Sequence, residues 1–281
     1  MQIEKTAAGV RAQVKAWKKE GLSVGLVPTM GYLHEGHKSL IDRAVEENDR
    51  VVVSIFVNPI QFGPTEDLET YPRDLEADRK LCEQAGASLI FAPEASEMYS
   101  EDFSTFVDAG KVTEELCGKS RPTHFRGVCT VVNKLFNIVA PDRAYFGQKD
   151  AQQLAVIRRM VRDLNMDLEI IGCPIIREED GLAKSSRNTY LSDEERKAAL
   201  VLSKAIFAAK AMAEGGEKDG DKILETMKNI IKKAEPLARI DYVEMVRWDT
   251  IEIHHTIDGP TLIAIAVFIG KTRLIDNVLL Q

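Results

Sequence analysis

The run Leu22-Ser23-Val24-Gly25-Leu26-Val27-Pro28-Thr29-Met30-Gly31-Tyr32-Leu33-His34-Glu35-Gly36-His37-Lys38-Ser39-Leu40-Ile41 decides how the chain folds. Residues 22–27 are mostly apolar and closed by a proline, which reads as a short buried strand. Residues 36–47 carry apolar side chains at helical spacing. The same succession returns up to about Cys173: residues 51–57, 88–92, 142–146 and 168–173 read as strands, and 75–84, 130–138 and 152–164 as helices. Such alternation predicts an α/β fold with a mostly parallel sheet covered by helices on both faces. Right-handed crossovers set the strand-to-helix loops along one sheet edge, where ligands of these folds bind.

The texture changes after Arg177. Residues 191–214 form one long helical pattern, opened by Ser192 as N-cap with Asp193, Glu194 and Glu195 in the first turn. A polar, Gly-rich break at 215–220 precedes a second helix at 221–234, and 240–246, 262–268 and 273–278 are strand-like. The expected organisation is an α/β domain at 1–175 and a smaller α+β domain at 176–281.

Composition narrows the functional classes. Apolar residues make up 44% and charged residues 29% of the 281, the balance of a packed, water-facing protein. A net charge of −7 argues against a nucleic-acid partner, which would want a basic face. The four cysteines, Cys82, Cys117, Cys129 and Cys173, have no metal-ligand spacing and read as idle thiols of a reducing compartment. No apolar run approaches the roughly 20 residues that span a bilayer. Residues 1–20 read as a charged amphipathic helix without the apolar core of a signal peptide, so the expected location is the cytoplasm, with no membrane partner.

Chemistry is expected where strands end. His34 and His37 stand three apart at a helix start, hence on one face of its first turn. Free N–H groups and the helix dipole favour an anion there, two imidazoles can donate to the same phosphate, and Gly36 permits close approach. An exposed helix start with chance histidines would look the same. A metal site would want a third ligand, and His124, His254 and His255 offer no evident pairing.

Asn58-Pro59-Ile60-Gln61-Phe62 follows the second strand; Pro59 stiffens the loop and Gln61 offers a donor and an acceptor. Arg121 and Arg126, in Arg121-Pro122-Thr123-His124-Phe125-Arg126-Gly127-Val128, could supply positive charge, or belong to a loop leading to the next helix. Phe146-Gly147-Gln148-Lys149-Asp150-Ala151-Gln152-Gln153 brings a lysine able to neutralise phosphate charge, an Asp150 that could cap the helix or hold a water on Mg²⁺, and a glutamine on the first helical turn. The loop Arg177-Glu178-Glu179-Asp180-Gly181-Leu182-Ala183-Lys184-Ser185-Ser186-Arg187-Asn188 sets two hydroxyls beside two cations and could wrap a triphosphate or merely connect domains.

Taken in order, these segments resemble a known family. His34-Glu35-Gly36-His37 looks like the HxGH element of the nucleotidylyltransferase and class I aminoacyl-tRNA synthetase superfamily. The longer string from Pro28 to His37, with Asn58–Phe62, Arg121–Val128, Gly147–Gln153 and Ser185-Ser186-Arg187-Asn188, resembles the pantothenate synthetases. Tyr32, Thr123 and Lys184 stand where that family often carries other residues. The resemblance implies a Rossmann-like domain and a C-terminal lid. It implies that Met30, Gly31, Tyr32, Leu33, His34, Glu35, Gly36, His37, Gly147, Gln148, Lys149, Asp150, Ile176, Lys184, Ser185, Ser186 and Arg187 hold ATP. It implies that Gln61 and Gln153 hold pantoate and that His34, His37 and Lys149 are catalytic. Mg²⁺ accompanies ATP, no protein ligand for it is assigned, and a homodimer is expected.

The reaction so implied has two steps. The pantoate carboxylate attacks the α-phosphorus of ATP, giving an acyl adenylate and pyrophosphate, and the β-alanine amine then displaces AMP. The protein's part is to position reactants and stabilise charge. Two rival readings are an adenylyltransferase, which would release only pyrophosphate, and an ATP-binding regulator without turnover.

Overall fold

The computed structural model describes residues 1–64, 66–234 and 236–280. The chain forms two compact units. The first comprises Met1–Ala109, Thr123–Gln148 and Val156–Pro174; the second comprises Gly110–Pro122, Lys149–Ala155 and Ile175–Gln281. The strands are β1 (Gln2–Glu4), β2 (Val24–Thr29), β3 (Arg50–Ile55), β4 (Leu89–Phe91), β5 (Arg143–Gly147), β6 (Glu169–Cys173), β7 (Ala238–Arg247), β8 (Thr261–Ile269) and β9 (Thr272–Leu280). The helices are α1 (Ala7–Lys19), α2 (Glu35–Glu47), α3 (Leu75–Gln84), α4 (Ala95–Met98), α5 (Cys117–Ser120), α6 (His124–Val139), α7 (Ala151–Asp163), α8 (Asp193–Ala198), α9 (Leu200–Glu214) and α10 (Gly220–Lys232).

In the first unit β1 to β6 form one parallel sheet in the order β1-β4-β3-β2-β5-β6. Consecutive residues Val51, Val52 and Val53 are all buried, as are Leu89, Ile90 and Phe91, because helices cover both faces and no alternation is needed. The chain runs outward from β2 to β3 and β4, then returns to β5 on the other side of β2. The order therefore reverses between β2 and β5, and the loops beyond their C-terminal ends flank the crevice where such sheets take ligands. Burial pushes the Cys82 and Cys129 thiols up to about 12, which keeps them inert.

The second unit has an antiparallel sheet, β7-β8-β9. Its core joins Leu202, Ala205 and Ile206 of α9, Ile223 and Met227 of α10, and Ile263, Ile265 and Val267 of β8. Ser192 and Glu195 form a reciprocal capping box at the start of α8.

Three local expectations change. Residues 1–20 do not begin as helix: Gln2–Glu4 pair in parallel with Leu89–Phe91 before α1 starts. Three residues are too few for a periodic signal, and their partner lies far along the chain. Helix α6 begins at His124, not at 130, because Gly127, a poor helix former, is selected there by contact. A Cβ on it would lie 2.5 Å from the Gln61 Cα and the Ile60 carbonyl oxygen. The pattern at 191–214 is two helices, α8 and α9, meeting at buried Ala199, where Leu202 N–H reaches the Ala199 carbonyl in a tightened turn.

Candidate active site

The loop after β2 is shaped by a carboxylate on α3. Gly31 and Tyr32 both have positive φ, 83° and 51°. The Asp78 carboxylate accepts the N–H of Tyr32 at 2.9 Å and of Leu33 at 2.7 Å. Asp78 is 2% exposed, and burial raises its pKa above the ordinary carboxylate range, against the pull of the two N–H donors. The φ of Gly31 favours glycine, and a Cβ there would also sit tightly, 3.0 Å from both the Asp78 carboxylate and the Ile55 side chain. The Tyr32 and Leu33 N–H groups are thus bonded to Asp78 and fix the loop.

The loop hands over to α2 through a cap made of imidazoles. His34 is the extended N-cap residue, and its Nδ1 accepts the Gly36 N–H at 3.1 Å. The Nδ1 of His37 accepts the His34 N–H at 3.2 Å. The ring centroids are 4.1 Å apart. With Nδ1 an acceptor in each ring, the neutral imidazole carries its proton on Nε2. Both histidines therefore present an N–H donor at a helix N-terminus, an arrangement suited to phosphate oxygens.

Beyond β3 a 3-10 turn, Pro59–Gln61, holds the buried Gln61. The Asn58 side-chain amide donates to Gln61 Oε1 at 3.0 Å and to the Gly127 carbonyl at 3.2 Å, and the Tyr99 hydroxyl donates to Asn58 Oδ1 at 2.7 Å. Gln61 Nε2 points at the Met30 sulfur, 3.2 Å away, so the loops after β2 and β3 meet here. His124 Nδ1 lies 3.0 Å from the Gln61 carbonyl oxygen. Arg126 turns to Phe106, its guanidinium 4.1 Å from the ring centroid, and to Asp108 at 3.4 Å. Gly147 and Gln148, at the end of β5, complete the expected residues of this unit.

The second unit carries Lys149, Asp150, Gln153, Ile176, Lys184, Ser185, Ser186 and Arg187. The Asn277 amide on β9 donates to the Lys149 carbonyl at 2.9 Å. The adjacent Asp276, its side chain 1% exposed, takes both guanidinium arms of Arg177 at 2.7 and 2.9 Å. Ile176 accepts the Lys184 N–H at 2.9 Å, closing a small hairpin whose tip uses Gly181 at φ 93°. Ser185 caps the 3-10 turn Ser186–Tyr190 through the Arg187 N–H. A small cavity is lined by Lys149, Ser185, Asn188 and Asp276, so strand, hairpin and lysine converge. The Lys184 ammonium lies 3.1 Å from Glu178. Gln152, not singled out by its motif, accepts the Cys117 N–H and donates to the Val112 and Glu115 carbonyls.

Reading motifs alone misses Asp78, Tyr99 and Asn277. Asp78 left a signal: it lies four residues before buried Cys82, so a charge sits on the apolar stripe of a predicted helix. Tyr99 and Asn277 left none, since each acts on a residue distant in sequence.

A parallel sheet reversing between β2 and β5, with a capped histidine pair beyond β2, defines a doubly wound α/β protein with polar groups at the switch point where ligands of such sheets bind. The sequence model of the pantoate-beta-alanine ligase family matches residues 2–279, and the chain belongs to that family. It is 67% identical over 277 residues to a pantothenate synthetase of Ruminiclostridium cellulolyticum, covering 99% of this chain and 98% of the relative. A pantothenate synthetase of Enterococcus faecalis is 63% identical over the same shares. The crystal structure of the Thermus thermophilus pantothenate synthetase superposes with a TM-score of 0.92 at 47% identity, covering 99% of both chains. The pantoate-beta-alanine ligase of Francisella tularensis, complexed with beta-gamma ATP and beta-alanine, superposes with a TM-score of 0.84 at 34% identity, covering 99% of this chain and 97% of that one.

Proposed function

We propose that the chain condenses pantoate with β-alanine using ATP, through a pantoyl adenylate, releasing pyrophosphate and AMP. The observation that carries this reading is the capped histidine pair beyond β2, with an Nε2–H on each ring, on a loop whose Met30 meets a Gln61 held by Asn58. In the first step a pantoate carboxylate oxygen bonds to the α-phosphorus as the bond to the pyrophosphate oxygen breaks. His34 and His37 support the phosphates, and Lys149, Ser185 and Arg187 hold the outgoing charge. Gln61 and Gln153 hold pantoate. In the second step the β-alanine nitrogen bonds to the acyl carbon, AMP leaves, and the amine gives up a proton.

Among the described residues no three His, Cys, Asp or Glu side chains gather to hold a metal ion. Mg²⁺ would accompany ATP as part of the substrate and supply charge neutralisation at the phosphates, with no protein ligand assigned to it. Among the described residues no helix is long and apolar enough to cross a membrane, and cytoplasmic action as a homodimer is the reading that the family resemblance favours.

The test is incubation with ATP, pantoate and β-alanine, following AMP and pantothenate. AMP should form only when the amine is present in stoichiometric supply. Release of pyrophosphate with AMP left on a stable product would favour an adenylyltransferase instead. Gln61→Ala or Gln153→Ala should raise the pantoate KM well above any change in the ATP KM, each at about 1–3 kcal/mol. Equal effects on both substrates would contradict the assignment.

A further inference from the structure

Gln61 is one end of a three-residue relay. A carboxamide has two orientations that differ only in which end is oxygen, so whatever fixes Asn58 fixes Gln61. Asn58 is 1% exposed and is read from two sides. The Gly127 carbonyl, which can only accept, faces the Asn58 nitrogen at 3.2 Å. The Tyr99 hydroxyl faces the Asn58 oxygen at 2.7 Å. Tyr99 is dependable as a donor, since burial raises its pKa well above the ordinary phenol value. Its ring is held in place edge-on to Phe103, with centroids 4.9 Å apart, and by the Lys134 ammonium 5.6 Å from its centroid.

The consequence passes along the chain of hydrogen bonds. With Asn58 so oriented, its nitrogen donates to Gln61 Oε1, and that oxygen is occupied inside the protein. Gln61 Nε2 then lies on the other side of the carboxamide, where it meets the Met30 sulfur at 3.2 Å. A thioether is a weak acceptor, and an incoming oxygen would be the stronger partner.

We propose that Tyr99 is a positioning residue that makes Gln61 present its N–H donor end to the subsite, favouring an acid substrate that places a hydroxyl or carboxylate oxygen there. This rests on the reading of Gln61 as a pantoate contact. Tyr99 touches no reacting atom and acts through Asn58.

The test is Tyr99→Phe, which keeps the ring and deletes the donor. The pantoate KM should rise roughly tenfold, the value of one buried hydrogen bond, with the ATP KM within about twofold of the native enzyme. In a Gln61→Ala background Tyr99→Phe should add little, because the end of the relay is gone. Asn58→Asp, which cannot donate to Gln61, should raise the pantoate KM at least as much. A merely structural tyrosine would lower the Tm and leave the KM ratio unmoved. An unchanged pantoate KM in Tyr99→Phe, or the same increase with and without Gln61, overturns the relay. If Gln61→Ala itself leaves the pantoate KM alone, the substrate assignment of Gln61 fails first, and the relay with it.

Discussion

The Nδ1 of His37 accepts the backbone N–H of His34 at 3.2 Å, so one histidine of the pair holds the other in place. Capping uses the Nδ1 of both rings, and the phosphate contacts proposed above use Nε2. The two can be separated by substitution. His34→Asn keeps a side-chain acceptor suited to an N-cap and loses the Nε2–H. His34→Ala loses both. Unfolding in urea should show His34→Ala about 1 kcal/mol less stable and His34→Asn close to native. ATP–pyrophosphate exchange driven by pantoate should fall about 100-fold in both. Native exchange in His34→Asn would remove this histidine from phosphate chemistry.

Asp78→Ala should be costly although it touches no motif. It strands the Tyr32 and Leu33 N–H groups, at about 1–3 kcal/mol each, and frees a loop with two consecutive positive φ angles. The pH dependence has a definite sign. The folded carboxyl holds its proton to higher pH than the unfolded chain does, so ionising it opposes folding. The stability margin of the native protein over Asp78→Asn should be largest near or below the ordinary value of 3.8 and shrink as pH rises through the raised one. Denaturant midpoints across that range would check it, and a margin that grows with pH would contradict it.

Glu47 should behave in the opposite sense. Hydrogen bonds from Arg43, chiefly, and from the buried Tyr145 hydroxyl at 2.8 Å hold its carboxyl below the ordinary range. The stability it confers is present above the ordinary value of 4.5 and is lost as pH falls through the depressed one. Arg43 and Glu47 are both about a third exposed, so solvent screens the pair and the effect should be small. Thermal unfolding of Glu47→Gln should have a flatter acid limb than the native protein; parallel limbs would rule the carboxylate out.

Lys149 should matter more to the first step than to the second. Lys149→Ala should slow adenylation by some hundreds-fold, the worth of about 3–4 kcal/mol in a dry site. Aminolysis of preformed pantoyl adenylate should suffer less, since no pyrophosphate leaves. Single-turnover rates of both steps decide, and loss confined to aminolysis would move Lys149 to the amine site.

The sequence is most legible where chemistry and local geometry coincide. The helix α3 matches its expected range, and β2, β3 and β5 lie within about two residues of theirs, because buried parallel strands are short apolar runs with Gly or Pro at their ends. The histidine pair is legible as a helix start, since its spacing is itself local. What escapes reading is supplied by tertiary contact. Gly127 looks like a helix breaker until the Gln61 backbone is seen against it. Asp78, Tyr99 and Asn277 each hydrogen-bond a residue many positions away, and no window on the chain holds both partners.

The second unit is not written as one continuous passage. Cys117 of the segment Gly110–Pro122 lies 3.3 Å from the Tyr242 hydroxyl and 3.6 Å from the Arg273 guanidinium, and Gln152 of Lys149–Ala155 ties that segment down. A gene fragment beginning at Ile175 would encode the three-stranded sheet without these two pieces, leaving the Tyr242 hydroxyl and the Arg273 guanidinium without their Cys117 contacts. The unit therefore cannot be inherited, swapped or expressed as a cassette. A chimaera between relatives has to exchange all three segments together to keep it whole.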